Sequence, residues 1–87
     1  MKEMKEEKNW YVVVKYNYHT GVGQNTTQEY RYESKEAAVK GLTKHFFKIS
    51  SDFRKQGYRH TGSSGLENES GLLCYSGFDV RIYIVEK

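Results

Sequence analysis

The nine residues Trp10 to Tyr18, WYVVVKYNY, constrain the fold most, because they describe a strand with apolar or aromatic side chains on both faces. Successive strand residues point to opposite sides. Trp10, Val12, Val14, Tyr16 and Tyr18 therefore share one face, and Tyr11, Val13 and Lys15 share the other. One face can serve a core. The second carries more apolar surface than a solvated face needs, and it is read as a contact surface.

The elements that follow supply a core for only one of those faces. After the first strand, HTGVGQN has the glycines and asparagine of a hairpin loop, and a second strand is expected at about Thr26–Tyr32. Its alternation sets Gln28, Tyr30 and Tyr32 against Glu29, Arg31 and Glu33. Ser34 is a good N-cap, and Glu36 suits the positive end of a helix dipole. A helix is predicted from Lys35 to about Gln56. At roughly 100° per residue, Ala38, Val39, Phe46, Ile49 and Phe53 cluster around Leu42 as a core stripe. Lys40, Lys44, Lys48 and Lys55 gather opposite, with Phe47 among them, and Gly57 is placed to end the helix. Gly41 and Ser50-Ser51 leave open a split into two shorter helices.

Residues 57–71, with four glycines and no periodicity, read as a long loop containing at most a short strand at Tyr58–Thr61. The chain then makes a hairpin, Leu72–Tyr75 and Phe78–Val85 around a Ser76-Gly77 turn. A two-residue turn pairs Tyr75 with Phe78 and Leu73 with Val80, which aims Leu73, Tyr75, Phe78, Val80, Ile82 and Ile84 at the core. The expected fold class is α+β, one domain in ββαββ order at residues 10–87, with a four-stranded, mainly antiparallel sheet and one helix on one face. Residues 1–9 form a charged arm.

Composition narrows the functional classes. An 87-residue chain with a single cysteine cannot form an internal disulfide or a thiolate zinc site of its own. The start MKEMKEEK lacks the apolar run of a secretion signal, and no long apolar stretch suggests a membrane span, so a reducing, cytoplasmic setting is expected. Net charge is only +3, but Lys35 to Tyr58 holds six cations against two acids. His19, His45 and His60 have no shared spacing, Cys74 sits in a strand, and neither Gly21-Val22-Gly23 nor the Gly62–Gly65 turn carries a phosphate-loop signature. No enzyme activity, cofactor or metal is expected.

The candidate partner-binding residues are the outward side chains Tyr11, Val13, Lys15, Arg31, Arg81 and Tyr83, together with Phe47 on the helix and Arg59 and His60 in the long loop. Their aromatic and apolar content with few arginines suits docking on a larger protein. The wealth of Lys and Tyr resembles proteins of AT-rich genomes, phage proteins among them, so an inhibitor or accessory (anti-defence) protein is one expectation. Binding of RNA or a signalling nucleotide is the alternative, with tyrosines stacking on bases and cations holding phosphates. A homodimer through the outer sheet face is the third.

Overall fold

The computed structural model describes residues 9–19, 25–61, 64–67 and 69–87. The expected arm (apart from Asn9), the Gly21-Val22-Gly23 segment and Gly62-Ser63 lie outside the described residues. The fold is α+β, one helix against an antiparallel sheet of five strands, not four. The strands are β1 (Trp10–Tyr18), β2 (Thr26–Tyr32), β3 (Gly65–Leu66), β4 (Ser70–Tyr75) and β5 (Phe78–Glu86), and α1 (Lys35–Lys55) lies between β2 and β3. The order across the sheet is β2-β1-β5-β4-β3.

The extra strand corrects the expected ββαββ order. The segment Tyr58–Thr61 is not a strand: Gly57 adopts a positive φ of 98° and turns the chain back, so that Tyr58 N donates to Phe53 O and the Tyr58 ring packs edge-on against Phe53 and Phe78. Strand pairing resumes at Gly65–Leu66, where Leu66 faces Gly71 across β4. An added Cβ on Gly71 would lie 2.8 Å from the Phe46 ring and 3.2 Å from Leu66, so the absence of a side chain there lets helix, β3 and β4 meet.

α1 is a single helix of 21 residues. Ser34 Oγ accepts from Ala37 N at 3.1 Å, Glu36 sits in the first turn, and Arg54 and Lys55 occupy the last, each complementing the local partial charge of the helix end. The weak points in its sequence are used in packing. Gly41 lies directly beneath the Tyr32 ring, which a Cβ would meet at 2.3 Å. Ser50 is buried with its hydroxyl bonded to His60.

Register confirms the face assignment. β1 pairs with β5 from Trp10↔Glu86 to Tyr18↔Phe78, and the terminal hairpin pairs Tyr75↔Phe78 and Leu73↔Val80 as its sequence requires. Asn9 and Lys87 exchange backbone hydrogen bonds at 3.1 and 2.9 Å, so the β1–β5 pairing extends one residue beyond Trp10↔Glu86. The core joins Val12 and Val14 of β1, Val80 and Ile82 of β5 and Leu73 of β4 to Ala38, Leu42 and Phe46 of α1. At the C-terminal end of the helix it closes with an aromatic cluster of Phe53, Tyr75 and Phe78. Among the described residues no helix is long and apolar enough to cross a membrane.

Candidate functional site

α1 covers one face of the sheet. Among the described residues no element covers the other. β1 supplies Tyr11, Val13 and Lys15 to this open face, β5 supplies Arg81, Tyr83 and Val85, and β2 supplies Arg31 and Glu29. Cross-strand pairing sets Tyr11 between Arg31 and Val85, Val13 between Glu29 and Tyr83, and Lys15 opposite Arg81. Six of the nine residues predicted as partner-binding thus meet on one surface. Val13 at its centre is only 4 % exposed, although it belongs to the open side.

Two features of this face were not anticipated. A groove of about 510 Å³ runs along its β3 side, lined by Leu72, Ser70, Glu67, Arg81 and Tyr83 among others. Beside it β3 pairs Gly65 with Leu72 and Leu66 with Gly71, and Glu67 N donates to Ser70 O at 2.7 Å. At the far end of β1, Asp79 collects its neighbours: His19 Nε2 lies 2.7 Å from Oδ2, Asn17 Nδ2 donates to Oδ1 at 3.1 Å, and Arg81 Nε lies 3.5 Å from Oδ1. Partial burial alone would push the Asp79 carboxyl up. The hydrogen bonds from His19 and Asn17, with the Arg81 charge, outweigh it and hold the group below its ordinary value. The Asn17↔Asp79 pairing comes from β1 meeting β5, strands distant in sequence.

On the β2 side of the face, charged side chains are engaged within the chain. Lys87 Nζ sits 4.9 Å above the Tyr11 ring and 3.0 Å from Glu29 Oε1, and Arg31 donates to Asn9 Oδ1 at 2.8 Å. These contacts set charged groups beside Tyr11.

The remaining predicted residues lie elsewhere. Phe47 is 58 % exposed on α1, its ring edge-on to Phe46, and is therefore in the helix layer on the other side of the sheet from Tyr11. α1 runs unbroken through it. Arg59 and His60 line a separate cleft of about 350 Å³ with Arg54 and Tyr58. His60 Nε2 lies 3.0 Å from Ser50 Oγ, and its ring packs edge-on to Tyr75. Among the described residues the buried Tyr75 hydroxyl has no hydrogen-bond partner. Burial pushes its pKa up against the opposing influence of nearby Ser50 and Arg54. The single docking surface expected from sequence is thus divided into an open sheet face, a basic cleft and an isolated helix phenylalanine.

A third cluster links β2 to the helix. His45 stacks on Tyr30 at 4.1 Å between ring centroids and lies 3.1 Å from the Tyr32 hydroxyl through Nε2. Desolvation lowers its pKa. Among the described residues, no group of three or more His, Cys, Asp and Glu side chains is placed to hold a metal ion. Cys74 is partly buried and free.

Comparison of the chain with family models, curated proteins and solved structures gives no match.

Proposed function

We propose that this protein is a non-catalytic binding module that docks on a larger protein through the open face of its sheet, centred on Tyr11, Val13, Lys15, Arg81 and Tyr83. The carrying observation is the pairing of Val13 with Tyr83 beside Tyr11 on a face that no described element covers. An aromatic and aliphatic centre inside a polar rim is the anatomy of a protein interface. The groove beside Arg81 and Tyr83 offers room for one anchoring side chain. The compositional bias towards Lys and Tyr fits a small phage-type inhibitor or accessory protein. Affinity capture from a host lysate with mass spectrometry tests the reading. A partner retained by the native chain and lost by Tyr11→Ala/Tyr83→Ala supports it, while equal recovery by both refutes the assigned surface.

A second reading has its own observation. The cleft of Arg54, Arg59 and His60 brings cations and a proton donor together with the Tyr58 ring, a combination suited to the phosphate and base of a nucleotide or RNA. Such binding weakens steeply with salt. Titration with single-stranded RNA and cyclic nucleotides at low salt tests it, and absence of binding there eliminates it.

A further inference from the structure

The two edges of the sheet are finished differently. At the β4 edge, Cys74 N donates to Ser64 Oγ, Thr61 N donates to Cys74 O, and β3 pairs with Leu72 and Gly71, so backbone groups along that side have partners. At the opposite edge β2 is terminal, and among the described residues no strand pairs with its outer side over seven residues, Thr26–Tyr32. β2 contains neither proline nor lysine, residues that commonly block such edges.

We propose that β2 pairs antiparallel with β2 of a second copy of this chain, with Tyr30 on the two-fold axis. A two-fold antiparallel pairing keeps residues of one face opposite residues of the same face, which limits the registers. Centring on Tyr30 sets Glu29 opposite the second copy's Arg31 and Arg31 opposite its Glu29, both on the open face. Centring on Glu29 sets like acids together, and centring on Arg31 sets Arg31 against itself and Glu29 against Glu33. Opposite charges across a strand pair attract and like charges repel, so the β2 sequence selects one register out of these three. Neither charge is used up in the chain. Glu29 bonds Lys87 through Oε1 and retains acceptor capacity, and Arg31 gives one of its five N–H groups to Asn9.

The arrangement has room. Its axis is normal to the sheet, so both helices lie on one side. α1 sits mainly over β1 and β5, which separates the two helix axes by four strand spacings, about 19 Å, against a helix diameter of about 10–12 Å. Both open faces then share the other side as one ten-stranded surface, closed by symmetry. This interface is independent of the docking surface proposed above, which it leaves uncovered.

Charge exchange tests it by sedimentation velocity across a concentration series. The native chain dimerises. Glu29→Arg and Arg31→Glu each turn both symmetric pairs repulsive and weaken the dimer by about tenfold or more, while Lys87→Ala, which removes only an intrachain contact, leaves it intact. Mixing the two single variants restores association, because both arginines of the Glu29→Arg chain then face glutamates of the Arg31→Glu chain. Circular dichroism confirms that the variants fold. A native chain that stays monomeric at high-micromolar concentration overturns the proposal. So does a dimer that survives both single variants, one abolished only by Val13→Asp, or a mixture that fails to associate.

Discussion

β1 and β5 present the same kinds of residue to both sides, yet the two sides are held in different ways. On the helix side, Val12, Val14 and Val80 are fully buried and Ile82 nearly so, each belonging to one contiguous cluster with Leu42 and Phe46 of α1. Among the described residues of the open side only Val13 reaches comparable burial, and it lies outside that cluster. Its neighbours are Tyr11 and Lys15 along the strand and Glu29 and Tyr83 across it. Burial by a packed element and burial under neighbouring side chains give similar exposures with different consequences. The first fixes the fold; the second depends on side chains that no further described element packs against.

The comparison breaks most readily at the core. Leu42→Ala removes the central helix contact to the sheet and is expected to cost about 2–5 kcal/mol, a large part of the stability of a chain this size. The matched pair Val12→Ala and Val13→Ala sharpens it. Removing Val12 leaves a cavity between two packed layers and costs about 2 kcal/mol, whereas around Val13 the tyrosine and lysine side chains can close in, holding the cost under about 1 kcal/mol. Chemical denaturation measures all three, and equal costs at Val12 and Val13 would show that the two faces are held alike.

Gly41→Ala probes the join between β2 and the helix. Alanine is the better helix former by about 1 kcal/mol, but its Cβ would stand 2.3 Å from the Tyr32 ring, which is held in place by His45. The expected net result is destabilisation of about 1 kcal/mol. In a Tyr32→Ala background the same change becomes stabilising, and thermal melts of the four chains give the coupling.

Smaller effects should accompany a change of pH. His45 has its pKa lowered by desolvation, so folding favours its neutral form. Its contribution is fully present above the ordinary histidine value of about 6.5 and is lost as pH falls through the lower folded value. Asp79, also lowered, contributes above the ordinary carboxyl value near 3.9 and loses that contribution as pH falls through its folded pKa. Melting temperature should therefore decline in two stages on acidification. His45→Gln removes the first stage and Asp79→Asn the second.

What could be read from sequence was what local rules determine. The strand β1, the helix with its Ser34 cap, the Ser76-Gly77 hairpin and the division of side chains between faces all follow from alternation, helical period and capping, which act over a few residues. β3 could not be read this way, because two residues carry no periodicity and Gly65–Leu66 pairs only once β4 is in place. The same applies to the Asp79 cluster, which requires β1 beside β5, and to the basic cleft, which requires the Gly57 turn to bring Arg59 and His60 beside Arg54. Helical period puts Phe47 on the outer helix face, where it is exposed. Its distance from the sheet residues followed only from seeing which face α1 covers.

The most direct test of the open face as docking surface is hydroxyl-radical footprinting of the chain alone and with its captured partner. The account predicts strong protection at Tyr11 and Tyr83 with Phe47, on the opposite layer, oxidised as before; protection of Phe47 with Tyr11 and Tyr83 unchanged would contradict it.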